Sequence, residues 1–204
     1  MKLNTNHIVV VLAAGNSSRL GSPKQLLTYH NHTLIRNTVA QVSNVPDAPP
    51  IIVVTGYIHE EIVEEISDLT KCIIRNKNWE LGMGSSIAFA VSAALNFLPE
   101  LKGILFLVSD QPFINTALIQ RILKEATEKE EKIIVAKYQD TLGIPAYFPA
   151  YYFNHLLNID PSTGAKKLIQ EFSEDVSTID FEMGSVDIDT PSDYEKLLKQ
   201  LPAS

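Results

Sequence analysis

The sequence predicts an α/β protein, a three-layer α/β/α sandwich on a mainly parallel sheet, and two patterns carry that expectation. Apolar, β-branched runs recur at HIVVVLA (7–13), IIVVT (51–55), KCIIR (71–75), GILFLVS (103–109) and KIIVAK (132–137). Segments of helical spacing lie between them: Ile35, Val39 and Val42; Ile58, Ile62, Ile66 and Leu69; Ile87, Val91, Ala94 and Leu98; Leu118, Ile122 and Ala126. Strands that are apolar at nearly every position are covered on both faces, as in parallel sheets flanked by helices.

The elements follow in that order to about residue 140, after which the pattern loosens. There the chain runs through the aromatic-rich IPAYFPAYYF and a turn at DPSTG to a strand at VSTIDF. A last helix opens at TPSDYEKLL, where Thr190 caps, Pro191 suits the first helical position and Asp193 completes a capping-box pattern. No linker or repeat interrupts the 204 residues, so one domain, 1–204, is expected.

Composition narrows the function classes. With 45% hydrophobic and 20% charged residues and no apolar run of about eighteen, the chain reads as soluble and globular. The N-terminal MKLNTNHIVVVLAAG has too short an apolar run, and too little early charge, for a secretory signal, so it is assigned to the first strand. A single cysteine, Cys72, permits no internal disulfide, fits a reducing, cytoplasmic setting and is expected to pack within its strand. The net charge of −7 disfavours nonspecific nucleic-acid binding, which rests on many cationic contacts. Any phosphate ligand must therefore be held by a local site. The five histidines, His7, His30, His32, His59 and His155, show no metal-ligand spacing and are expected at the surface or in packing.

In open α/β sheets ligands bind beyond the carboxyl ends of the strands. The first such segment, AAGNSSRLGSPK, places a glycine loop, a forked guanidinium at Arg19 and an ammonium at Lys24 after the first strand. Its backbone N–H groups suit a polyphosphate. Three familiar motifs fail here. A dinucleotide fingerprint lacks its middle glycine between Gly15 and Gly21; a Walker loop is broken by Ser22 and Pro23 before Lys24; a nucleophile elbow has Arg19 in place of its second glycine.

LAAGNSSRLGSPKQLL, residues 12–27, resembles the LAAGxSxRMGxPKxLL signature of GT-A-type nucleotidyltransferases, most closely those that transfer a nucleotide to molybdopterin. NKNWELGMGSSIAFAV resembles a second motif of that family, SDQPF its acidic strand end, GIPAYF its GxPxxF segment and DIDTPSDYEKL its closing DIDTPxDY. Five ordered motifs span almost the whole chain, which is identified as a member of the molybdenum cofactor cytidylyltransferase-like (MobA/MocA-type) NTP transferases. The resemblance implies a Rossmann-like GT-A nucleotidyltransferase sheet and transfer of a nucleoside monophosphate to a phosphorylated acceptor, with pyrophosphate released. Ala14 and the Pro23-Lys24 pair are similar to the branch that uses CTP rather than GTP, with molybdopterin as the implied acceptor and a molybdenum enzyme as recipient of the product. PSTGAKK stands where the family often has GDxGAR, which leaves the acceptor open to a sugar or alditol phosphate. A maturation factor that binds the cofactor without catalysis is the remaining alternative.

The same resemblance distributes roles. Leu12, Ala13, Ala14, Gly15, Ser17, Ser18, Arg19, Lys24, Asn76, Gly84, Ser85 and Ser86 would bind the nucleotide, with Arg19, Lys24 and Asp110 catalytic. Two anionic reactants call for Mg2+, which one or two carboxylates can hold together with phosphate oxygens. Asp110 ends an apolar strand before Gln111-Pro112, where Asn115 and Thr116 are better placed to cap the next helix. Asp110 and Asp189 are the implied ligands; Asp187 shares a face with Asp189 and is a ligand, its supporting partner or merely exposed. Ser85 and Ser86 either cap a helix or read the base edge, roles that are compatible. Gly143, Pro145, Ser162, Gly164 and Lys166 would meet the acceptor. The aromatic cluster Tyr147, Phe148, Tyr151, Tyr152 and Phe153 is expected near that side, stacking on a pterin-like ring or packing the core.

Overall fold

Strand β1 (His7–Ala13) is buried along its whole length. Its side chains alternate between two apolar clusters, Val9, Val11 and Ala13 on one face and Ile8, Val10 and Leu12 on the other. The structure, a computed structural model, describes residues 6–16, 20–186, 188 and 190–199. After β1 come the short hairpin β2 (Thr28–Tyr29) and β3 (His32–Thr33), α1 (Leu34–Ser43), β4 (Ile51–Thr55), α2 (His59–Ile66), β5 (Ile73–Arg75), α3 (Met83–Phe97), β6 (Gly103–Val108) and α4 (Thr116–Glu128). Then follow β7 (Ile133–Tyr138), β8 (Thr141–Pro149), α5 (Phe153–Leu157), α6 (Lys166–Glu171), β9 (Val176–Asp180) and α7 (Pro191–Lys199).

The main sheet has seven strands in the order β5-β4-β1-β6-β8-β7-β9. Every pairing is parallel except the two made by β8. Apolar stripes of α1, α2 and α4 cover one face, through Ile35, Val39, Ile62, Ile66, Leu118 and Ile122. Helices α3, α5 and α6 cover the other, through Ile87, Val91, Leu156 and Ile169. Two apolar faces each closed by helices account for the three layers.

Topology then fixes where a ligand can sit. From β1 the chain builds outward through β4 to β5, and α3 carries it back across to β6 on the other side of β1. Strand order reverses there, so the crevice beyond the carboxyl ends of β1 and β6 is the expected binding place.

The expected strand and helix order holds through residue 138, and the capping box is formed as expected. Thr190 Oγ1 donates to Asp193 Oδ2 at 2.7 Å and accepts from the Asp193 N–H at 3.3 Å, while the Thr190 N–H also donates to Asp193 Oδ2 at 3.0 Å. Cys72 packs half-buried against the Ile8 face. The loosened segment holds the nine-residue strand β8, wedged between β6 and β7. Gly143 and Pro145 obscure its pattern: the register with β7 jumps from Val135↔Ala146 to Ala136↔Gly143, leaving Ile144 and Pro145 in a bulge. A bulge is where a residue without an N–H can enter a sheet interior.

Because β8 runs antiparallel, it carries the aromatic cluster away from the crevice. Tyr147 pairs with Leu105, Phe148 with Ile104 and Pro149 with Gly103, at the amino end of β6. Tyr147, Phe148, Tyr152 and Phe153 are buried there and Tyr151 is exposed, so the expectation of an acceptor-side cluster is corrected to core packing at the opposite edge. Among the described residues no helix is long and apolar enough to cross a membrane.

Candidate nucleotide-binding site

The crevice holds a cavity of about 380 Å³ lined by the β1 end, Leu12 to Asn16, by Lys24 and Gln25, by Trp79 to Met83 except Leu81, by Ser86, and by Val108 to Asp110 at the β6 end. Four of the expected nucleotide residues, Leu12, Ala13, Ala14 and Gly15, thus meet Lys24, Ser86 and Asp110 at one place. Lys24 donates from Nζ to Asp110 Oδ2, and both side chains are mostly buried, at 20% and 17% exposure. Asp110 does not cap α4; Asn115 Oδ1 accepts from the Leu118 N–H at 2.9 Å in that role.

Lys24 is positioned by its neighbour. The 3-10 turn Lys24–Leu26 starts after Pro23, and the amide of Gln25, 1% exposed, donates to Gly15 O at 2.7 Å and Ala13 O at 3.2 Å. Gln25 therefore staples the turn to the loop after β1. Sequence reasoning passed over it; a polar side chain adjoining a glycine loop, between apolar residues, was the available signal.

Asn76 stands behind the cavity wall. Its buried amide donates to Ser85 Oγ at 3.0 Å and Ser86 Oγ at 3.1 Å, while its Oδ1 accepts from the Asn78 N–H. Ser85 donates in turn to Gly82 O at 2.8 Å and Asn78 O at 2.9 Å. Helix α3 starts earlier than Ser85, with Gly82 as its cap at φ 115°, so Ser85 holds the turn together and Ser86 faces the cavity. Gly84 faces elsewhere: a Cβ there would lie 2.1 Å from Asp160 O and 2.6 Å from Thr163 O. Its bareness seats the 160–163 turn on the start of α3.

A second cavity, of about 240 Å³, adjoins the first and shares Met83, Val108 and Asp110 with it. Gln111, Tyr138, Thr141 to Ile144 and Gly164 to Lys166 complete its lining, and so it gathers Gly143, Gly164 and Lys166 of the expected acceptor residues. Pro145 and Ser162 stand outside that lining. Ser162 is held by Asp160, whose Oδ1 accepts from its N–H at 2.9 Å and its Oγ at 2.7 Å; those bonds lower the Asp160 carboxyl below its ordinary range. Gln111 is buried, with Nε2 donating to Ile144 O at 3.0 Å and Gly184 O at 3.1 Å. It thereby ties the Asp110 turn to the β8 bulge and to the segment that leads into residue 187.

Ser17, Ser18, Arg19, Asp187 and Asp189 lie outside the described residues. Among the described residues no group of three His, Cys, Asp or Glu side chains could hold a metal by itself. The arrangement supplies a backbone loop, a cation, one strand-end carboxylate and two adjoining cavities. Such a set can hold two reactants on either side of Asp110.

Residues 9–176 match the family model described as the MobA-like NTP transferase domain. Over 203 residues, 95% of this chain and 96% of the other, the sequence is 27% identical to a probable molybdenum cofactor guanylyltransferase of Carboxydothermus hydrogenoformans. Among solved structures, the homolog of Mycobacterium tuberculosis rv0371c from Mycobacterium sp. strain JC1 superposes with a TM-score of 0.77 at 28% identity, covering 96% of each chain. Rv0371C of Mycobacterium tuberculosis H37Rv, in complex with manganese, gives 0.69 at 25% identity over 97% of this chain and 100% of the other.

Proposed function

Since the chain belongs to the family of MobA-like NTP transferase domains and is a nucleotidyltransferase, we propose that it transfers a nucleoside monophosphate, CMP from CTP, to the phosphate of molybdopterin. The observation that carries this is the Lys24–Asp110 pair at the junction of two cavities. The larger cavity takes the triphosphate, its loop amides and Lys24 meeting the phosphates. The smaller takes the acceptor, whose phosphate oxygen attacks the α-phosphorus as pyrophosphate leaves. Bringing two anions together is the main obstacle, and fixed cations and N–H donors lower it without reorganising during transfer.

The donor set fits a divalent metal. Mg2+ is commonly held by one or two carboxylates plus substrate phosphates rather than by a full protein cage, and Asp110 is a carboxylate at the shared wall. Asp110, with Asp189 by resemblance, would hold the ion, which would neutralise charge on the phosphates when bound. The manganese complex of the mycobacterial relative supports a divalent ion in this role.

Base and acceptor rest on narrower grounds. The Ala14 methyl at the cavity favours a pyrimidine, whereas the Carboxydothermus relative is named a guanylyltransferase. Lys166 in place of an arginine keeps a sugar or alditol phosphate as a second candidate acceptor. Pyrophosphate release should be measured for the four NTPs with Mg2+ or Mn2+, with molybdopterin and then sugar phosphates as acceptors. CTP with molybdopterin should give the highest rate. Folded protein that releases no pyrophosphate from any combination would refute nucleotidyl transfer. Asp110→Asn should cut turnover by more than ~100-fold, while stability falls by about 1–3 kcal/mol, because Lys24 and Asp110 are both mostly buried and Lys24 loses its charged partner.

A further inference from the structure

Trp79 is the chain's single tryptophan, and it lines the larger cavity beside Ala14, Gly82 and Ser86. Among the described residues it belongs to none of the three apolar clusters, so the core does not account for it. Its stem is nevertheless tightly seated. Gly56 follows β4 directly, and a Cβ there would lie 2.7 Å from Trp79 Cγ and 2.4 Å from Ala14 O. Gly56 thus lets the indole close onto the end of β1. The Tyr57 ring flanks Trp79, with centroids 5.8 Å apart and planes 58° apart. The turn beneath is closed by the Gly82 N–H donating to Trp79 O at 3.1 Å.

A large ring fixed on several sides and only partly buried where it lines a cavity retains an apolar face for a flat partner. The same cavity is also lined by Asn16 and Lys24, donors suited to phosphates, and by Asp110, a carboxylate suited to a metal. We propose that Trp79 is the platform on which the base of the nucleoside triphosphate stacks, with Gly56 as the space that admits it. This rests on the nucleotidyl transfer proposed above. Stacking tolerates any base, since each has a π-face, so Trp79 holds the base while the groups around Ala14 and Ser86 select among bases.

Being the single tryptophan, Trp79 reports its own occupancy. The wild-type protein, Trp79→Phe and Trp79→Ala should each be titrated by calorimetry with CTP, GTP and inorganic triphosphate in Mg2+. The wild-type titrations should be repeated by tryptophan emission. The proposal expects CTP or GTP to shift the emission. It also expects Trp79→Ala to weaken the bound nucleotide by at least roughly tenfold, Trp79→Phe to stay within about threefold, and inorganic triphosphate to bind all three proteins alike. Equal weakening of nucleotide and triphosphate by Trp79→Ala would show a structural role and overturn the proposal. So would calorimetric nucleotide binding that leaves emission and the Trp79→Ala affinity unchanged. If no triphosphate bound the wild type by calorimetry, nucleotidyl transfer itself would fail, and this proposal with it.

Discussion

His7 illustrates what a single side chain can hide in a sequence. It reads as a polar residue opening an apolar run, yet it is buried, and its Nδ1 shares a 2.9 Å hydrogen bond with the buried hydroxyl of Tyr147. Gly103 makes room for that hydroxyl, since a Cβ there would stand 1.9 Å from it. Burial, reinforced by the nearby Lys102 charge and opposed by Glu130, lowers the His7 pKa; burial pushes the Tyr147 phenol far above its usual range. A histidine whose pKa is depressed on folding takes up its proton more readily when unfolded. Its stabilising contribution is therefore whole above its ordinary value of about 6.5 and is lost as pH falls through that value toward the native one. The unfolding free energy from urea titrations should thus fall between pH 7.5 and pH 5.5, by at most about 1.4 kcal/mol per pH unit from this group. His7→Asn should remove that part of the slope, and an unchanged slope would place the proton uptake elsewhere. That Lys24 and Asp110 would meet at one crevice was legible because each stands beyond the carboxyl end of a strand, whereas Gly143, which lies inside β8, was named through the resemblance alone. Trp79, Gln25 and Gln111 were not, because their roles depend on contacts with Gly56, Gly15 and Gly184 made only in the folded chain.

At the level of elements, local pattern sufficed wherever one period ruled. The parallel strands and helices through residue 138 announce themselves by periodicity, and α7 by its capping box. Strand β8 does not, because Gly143 and the Ile144-Pro145 bulge erase the alternation that a sheet interior would impose. Missing β8 also misplaced the aromatic cluster, since the direction of one strand decides which edge of the sheet its residues reach. The contact between α3 and the 160–163 turn is a second feature invisible in sequence. It joins the wall of the larger cavity to that of the smaller through Gly84, whose neighbours are backbone carbonyls that cannot swing aside. Gly84→Ala should accordingly push the turn off α3 and cost roughly 1–3 kcal/mol, the usual range for overpacking. Since Gly164 to Lys166 line the smaller cavity just beyond that turn, the variant should raise the KM for the acceptor more than that for the nucleotide. Thermal unfolding and initial rates would check both; equal changes in the two KM values would mean that the turn does not shape the acceptor cavity.

For the whole molecule, the reversal of strand order between β1 and β6 sets the order of the chemistry. It opens one crevice, and the two cavities there are neighbours that share Met83, Val108 and Asp110. Both reactants can therefore be held together across one wall, and transfer needs no covalent nucleotidyl-enzyme to carry the group between separate places. The lining side chains agree. Among the described residues neither cavity is lined by histidine or cysteine, and Lys24, the amine in the larger cavity, is engaged with Asp110. A paired ammonium is a poor nucleophile, because attack requires its deprotonated form. Initial rates measured while both substrates are varied should give intersecting double-reciprocal lines, the pattern of a complex in which both are bound before pyrophosphate leaves. No pyrophosphate burst should appear when the acceptor is withheld. Parallel lines, or a stoichiometric burst from NTP alone, would mean that a side chain accepts the nucleotide first, and Lys24 would become the first residue to test for it.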